Sequence, residues 1–238
     1  MWIVFTVLGI GILLLIIVGI IAGTKEEGKE HKKNHNYYRS QINATYTGND
    51  QEDIARVGQQ GENIVSRNLI GILDTYGGYL LNDFCFKDYD GYSSEIDHIL
   101  IVRCGVFVIE TKTNTGTISG KREDKKWVAV KNYQGNKTLA NPIKQNEGHI
   151  NHLKKVLGRN APTLESMIIF PAADISCIQE ASVFSMSSAL NYLEKRMNSV
   201  TYNDEKMKRI NDMFLNVKQK YGITKEQHIQ NIKRIHKD

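Results

Sequence analysis

Cysteine is scarce in this sequence, and its copies lie far apart. Cys85, Cys104 and Cys177 form no C-x-x-C pair and no Cys/His set with zinc spacing. A disulfide framework and a structural zinc module are therefore excluded, and the thiols are expected reduced and buried, as in a cytosolic compartment. Proline is as rare, at Pro142, Pro162 and Pro171 only. No internal repeat is visible, which excludes solenoids and propellers. No aromatic-rich stretch of the RNA-stacking kind is present. Charged residues make up 24% of the chain, so it is not composed like a disordered one. The formal net charge of +5 is mildly basic, compatible with an anionic partner without requiring one.

What is present begins with one long apolar run. Residues Trp2 to Ala22 hold no charge and one polar side chain, Thr6. About 21 residues in a helix span roughly 30 Å, the thickness of a bilayer core. Trp2 occupies an interfacial position. No basic residue precedes the run, and Ile21 spoils a small-x-small cleavage site, so an uncleaved anchor is expected rather than a signal peptide. Lys25, Lys29, Lys32, Lys33 and Arg39 follow it. By the positive-inside rule the N-terminus lies outside and the main domain in the cytoplasm. Residues 24–50 lack an apolar period and read as a polar, flexible linker.

The 238 residues leave room for one domain and a terminal extension. Ile54, Val57, Gly61, Ile64, Val65, Leu69, Ile72 and Leu73 recur at helical spacing, and Glu62 sits near that stripe. Gly77-Gly78 breaks the helix, and Tyr79 to Phe86 reads as a strand. Thr117–Ser119 and Trp127–Val130 predict another strand pair. Lys121, Arg122, Lys125 and Lys126 crowd the turn between them, which is either solvated or contacts phosphate. Asn141-Pro142 opens a helix, with Asn as N-cap and Pro at its first position. Gln145, His149 and His152 share one face of it. Met167–Phe170 predicts a buried strand and Ala181–Ser185 another, followed by a helix capped by Ser187 or Ser188. From Asn191 onward there are 11 Lys/Arg against 6 Asp/Glu, a difference that equals the net charge of the whole chain. This basic helical extension, 191–238, fits contact with nucleic acid or anionic lipid, or plain solvation.

The chemistry gathers in Ser94–Thr113. Two β-branched runs flank Arg103-Cys104-Gly105, a hairpin signal. Acids and a lysine interrupt these runs: Glu95 and Asp97 on the first, Glu110 and Lys112 on the second. Side chains alternate along a strand, so either turn register puts Asp97, Glu110 and Lys112 on one face. If Arg103-Cys104 is the turn, Asp97 lies opposite Glu110; if Cys104-Gly105, opposite Lys112. Two half-buried carboxylates repel each other, and a divalent cation relieves that repulsion. Mg²⁺ suits such oxygen ligands and commonly takes one or two carboxylates beside its waters. A structural ion pair of Lys112 with Glu110 or Asp97 explains the same pattern without metal. His98 should face away from Asp97 and be structural.

Asp97 followed by Glu110-Thr111-Lys112 matches the D…(D/E)-x-K signature of the PD-(D/E)XK nuclease superfamily. Gly61-Glu62, Glu95-Ile96-Asp97-His98, Gly105 to Lys112, Gly116 with Ile118, Trp127, and Asn141-Pro142-Ile143-Lys144-Gln145 before a helix with His149 occur in order. Together these blocks resemble the nuclease-related domain (NERD) family over roughly residues 55 to 185. The resemblance implies an α/β, restriction-endonuclease-like mixed central sheet flanked by helices, within 51–190, preceded here by the transmembrane segment 1–23. It implies a Mg²⁺- or Mn²⁺-dependent nuclease; the sequence does not separate DNA from RNA, and DNA is the favoured partner of the two. Asp97, Glu110 and the Thr111 carbonyl would bind the metal, Lys112 would position water, and Gln145 and Glu62 would assist. Two other classes stay open: a catalytically silent nuclease-like module that binds nucleic acid or a protein at the membrane, and a sensor whose C-terminal helices recruit a partner.

Overall fold

The computed structural model describes residues 38, 40, 41, 50–131 and 135–235. The expected anchor, and all of the linker except residues 38, 40, 41 and 50, lie outside the described residues. No helix among the described residues is long and apolar enough to cross a membrane.

Helix α1 (Asp50–Tyr76) buries Ile64, Val65, Leu69 and Ile72 along one stripe, as the helical period requires. Gly77 and Gly78 both take positive φ and end it; a Cβ on Gly78 would sit 2.3 Å from the Ile101 carbonyl oxygen. Strands β1 (Tyr79–Lys87), β2 (Ser93–Val102) and β3 (Gly105–Thr111) form an antiparallel meander. Val102 pairs with Gly105, so Arg103-Cys104 is the hairpin turn. The amides of Thr201 and Tyr202 donate to the Arg103 carbonyl, and Arg196 donates to that of Cys104, which pins this end of the hairpin.

After β3 come β4 (Gly116–Ser119), β5 (Lys126–Lys131), β6 (Gly135–Ala140) and helix α2 (Pro142–Leu157). Strands β7 (Leu164–Phe170), β8 (Ala173–Asp174) and β9 (Val183–Ser185) precede helices α3 (Met186–Arg196), α4 (Asp204–Tyr221) and α5 (Lys225–Ile235). The larger sheet has the order β1-β2-β3-β7-β9, with β3, β7 and β9 parallel. It is mixed, as expected. Strand β3 lies in its middle and is buried at every residue, which explains its unbroken apolar run. A smaller sheet, β6-β5-β4-β8, packs Ile118, Trp127 and Ala129 against Ile143 and Phe170.

Helices cover both faces of the large sheet. Residues of α1 and α3 pack with Leu100, Val102, Phe107 and Ile109. Residues of α2 and α4 pack with Ile99, Ile101, Val106 and Val108. Phe214, Ile210, Met207 and Val217 of α4 are buried, so this part of the basic C-terminal stretch belongs to the packed body. Residue 190 lies inside α3, with no break in the chain there.

Two expectations are corrected. Cys85 and Cys104 are buried but Cys177 is exposed, because it lies in the irregular segment between β8 and β9. The cap of α3 is Ser185, not Ser187 or Ser188; Ser188 instead closes a capping box with it. In α2, Asn141 and Pro142 hold the expected cap and first-turn positions.

Candidate active site

The site forms where β2, β3 and α2 meet. Continuing the ladder His98↔Ile109 by one residue sets Asp97 opposite Glu110, the first of the two registers considered. The Asp97 side chain does not point idly outward: its Oδ2 accepts the Thr111 amide at 2.6 Å. Burial and the charges of Glu110 and Glu62 push its carboxyl well above the usual range, against the pull of that amide and of Lys112.

Glu110 is buried, and burial raises its carboxyl too, with Lys112 opposing. Lys112 follows β3 directly; its amide donates to the Ile169 carbonyl, so the backbone there is still fixed by β7. Its ammonium lies 2.7 Å from Glu110 Oε1 and donates to Gln145 Oε1 at 2.8 Å. Helix α2 brings Gln145 there because Asn141 fixes where the helix starts. Asn141 Oδ1 accepts from the amides of Ile143 and Lys144, while Nδ2 donates to the carbonyls of Lys121, Arg122 and Asp124.

One turn later, His149 Nε2 comes within 3.6 Å of Glu110 Oε2. That nitrogen is buried and has no hydrogen-bond partner in the structure. Burial, with Lys112 adding to it, lowers the ring's pKa to about 4, so it is neutral at neutral pH. Sequence pattern placed His149 on one face with Gln145, and that spacing was the available signal. His152, one face-turn on, is hydrogen-bonded through Nδ1 to Ser94 Oγ at 2.8 Å. His98 turns away, as expected: its Nδ1 lies 2.8 Å from Asn82 Oδ1.

Glu62 arrives from α1. The helix comes close to the end of β3 because residue 61 is glycine: a Cβ there would fall 2.1 Å from Thr113 Cγ2. Burial raises the Glu62 carboxyl, and Lys225 opposes the shift. No direct contact joins Glu62 to Lys112 or Gln145; it acts on Asp97 through charge. Its ion-pair partner is Lys225 of α5, at 3.8 Å. Lys225, paired with Glu95 of β2, is a site residue that the sequence did not reveal, because α5 is brought in from far along the chain.

Among the described residues, no group of three or more His, Cys, Asp or Glu side chains is arranged to hold a metal ion. The donor set here is smaller, two carboxylates, both raised by burial and by neighbouring acids, and Mg²⁺ commonly takes one or two carboxylates while keeping its own waters. The orphaned His149 nitrogen also fits a water held at this point. The arrangement can therefore polarise water beside a fixed ammonium.

Comparison with known proteins agrees with the residues. A nuclease-related domain model matches residues 57–171. An uncharacterized protein of Bacillus anthracis is 28% identical over 144 residues, which cover 60% of this chain and 67% of its own. No solved structure matches. Segment 57–171 contains Glu62, Asp97, Glu110, Lys112 and Gln145, and it belongs to the nuclease-related domain (NERD) family.

Proposed function

We propose that this protein hydrolyses phosphodiester bonds of nucleic acid with Mg²⁺ or Mn²⁺, with a restriction-endonuclease-like sheet as its scaffold. The observation that carries the reading is the ammonium of Lys112, held between Glu110 and Gln145 just past the end of β3, where Asp97 accepts the Thr111 amide. Asp97, Glu110 and the Thr111 carbonyl would hold the ion. When bound, it lowers the pKa of water and offsets charge on phosphate. Lys112 donates to the attacking water or to a phosphate oxygen. Gln145 fixes the ammonium's direction, and Glu62 adds negative charge near Asp97. The water oxygen bonds to phosphorus and gives up a proton to solvent, the P–O ester bond breaks, and the leaving alkoxide takes up a proton from solvent. DNA is the favoured substrate. In this reading residues 2–22 anchor the chain in a membrane with the domain on the cytoplasmic side.

The test is direct. Purified full-length protein is incubated with single- and double-stranded DNA and with RNA, in Mg²⁺, Mn²⁺ or EDTA. Lys112→Ala and Asp97→Ala proteins, checked for folding, run beside it. Metal-dependent cleavage that both substitutions abolish is the expected result. Cleavage that survives them sinks the assignment. A folded protein that binds nucleic acid but cuts none is a binding module instead.

A further inference from the structure

No stretch of the sequence is rich in aromatics, yet the fold gathers aromatic rings from three places beside the site. Residues 88–92 connect β1 to β2. Two of their side chains stand out from the surface: Tyr89 is 66% exposed and Tyr92 49%. The Tyr92 ring stacks on that of His152 from α2, with centroids 6.0 Å apart and planes 21° apart. The Tyr89 ring meets that of Tyr221, the last residue of α4, edge to face at 5.2 Å, and their hydroxyls lie 2.9 Å apart.

The turn that carries these rings is held in place. Asp88 is buried, and its Oδ1 accepts the amides of Asp90 and Tyr92. Its own amide donates to the Tyr92 carbonyl. Lys155 of α2 pairs with both acids of the turn, at 3.4 Å from Asp88 and 2.8 Å from Asp90. Lys87 and Lys220, each next in sequence to this assembly, are exposed and have no ion-pair partner among the described residues. The rings also lie close to the chemistry. His152 follows Gln145 by seven residues on one face of α2, about 10 Å along the helix. Its Nδ1 is bonded to Ser94 Oγ, and Ser94 precedes Asp97 by three residues, about 10 Å along β2. Helix and strand therefore both lead from the rings to the site of Asp97 and Lys112.

We propose that Tyr89 and Tyr92 form a stacking platform for unpaired bases, so that the substrate is a single strand or a strand opened at this point. The proposal rests on nucleic acid being the substrate and names its class. In a duplex both faces of each base are covered by neighbouring bases, whereas an unpaired base has a face free for a protein ring. Tyrosine supplies a large, stiff ring that loses little freedom when covered. Stacking of this kind tolerates any sequence, because every base has a π-face. Lys87 and Lys220 suit the phosphates of such a strand.

The test measures binding by full-length protein in EDTA, apart from any cleavage. The probes are a short single-stranded DNA carrying 2-aminopurine, the matching RNA, and the blunt duplex. Wild type, Tyr89→Phe and Tyr92→Phe are expected to prefer a single strand to the duplex and to quench the 2-aminopurine. Tyr89→Ala and Tyr92→Ala should each bind the single strand at least about fivefold more weakly, and the double variant should lose both quench and preference. Leu215→Ala, at an exposed apolar position elsewhere on α4, should change nothing. If the alanine variants fail to fold, Tyr92→Leu against Tyr92→Phe compares a side chain without a ring to one with it. Equal affinity and quench in that pair, or in wild type and a folded double variant, overturns the platform. So does a wild type that binds no strand; self-association abolished by the same substitutions would then make the patch an interface between copies. A protein that stacks bases but cuts nothing keeps the platform and loses the nuclease reading. A double variant that binds and cuts like wild type does the reverse.

Discussion

The Lys112 ammonium is hydrogen-bonded to Gln145 Oε1 at 2.8 Å, across a sequence separation of 33 residues. One donor of a mobile side chain is thereby fixed by a helix, and a second is taken by Glu110. Lys112→Ala should reduce cleavage at least roughly a hundredfold. Gln145→Ala should cost roughly tenfold or more in kcat with little change in KM, because it misdirects the ammonium rather than removing it. Lys112→Arg should not rescue, since a planar guanidinium fills the space between Glu110 and Gln145 differently. Steady-state kinetics on a short duplex read all three; a KM effect alone for Gln145→Ala would contradict the role.

Gly61 is needed for close approach, not for its backbone freedom. Gly61→Ala places a methyl against Thr113 Cγ2, so the helix must shift or Thr113 must turn. We expect a loss of about 1–3 kcal/mol, the usual cost of overpacking. Thr113→Ser removes the opposing methyl, so the double substitution should regain most of the stability. Denaturant midpoints of the two single variants and the double variant form the cycle, and additive losses would show that the two residues do not meet.

Acid should destabilise the fold through His98. Burial lowers its pKa from the usual 6.5 to about 4, with only a weak opposing pull from Asp83. Between those values the unfolded chain binds a proton that the folded one does not, so stability rises with pH across that window. It is fully present above 6.5, falls as pH drops toward 4, and the loss amounts to about 3 kcal/mol. His98→Gln can keep a contact with Asn82 without titrating. Its stability should therefore fall less between pH 6.5 and 4, as measured by urea unfolding at each pH.

Asn141 does two jobs with one amide. Asn141→Ala loses the helix cap and takes a donor from the Arg122 and Asp124 carbonyls, while that of Lys121 keeps Trp127 Nε1 and the Asp124 amide. A cap is worth about 1 kcal/mol and a lost hydrogen bond to a partly exposed loop about another 1, so a loss of about 1–2 kcal/mol is expected. Asn141→Ser keeps a capping oxygen and should lose less. Equal losses for the two would place the whole effect in the loop and none in the cap.

Much of the site was legible because its signals are local. A period-two apolar pattern broken by acids marked β2 and β3, and Asn141-Pro142 marked the start of α2. The turn register was not legible: both choices satisfied the alternation, and only the pairing of Val102 with Gly105 decides it. Strand β6 escaped notice since Gly135–Ala140 is an exposed, polar edge strand with no apolar period to read. Lys225 escaped for a different reason. Its partners lie 163, 142 and 130 residues earlier, and no spacing rule connects them. Helix α5 was visible only as part of a basic stretch, and its Ile229 and Ile232 are exposed.

The family-matched segment ends at residue 171, but the face of the sheet carrying Ile99, Val106 and Val108 is covered by Phe214 and its neighbours from α4. A growing chain folds from its N-terminal side first. During synthesis the acid-bearing hairpin therefore emerges well before both the apolar cover and the ammonium that sits among its carboxylates. Until then α2 alone covers that face, and the nascent domain carries a half-open apolar surface and a self-repelling edge together. The same holds for any fragment cut at residue 171: it should be recovered as aggregate, while a chain carried through α5 stays in solution.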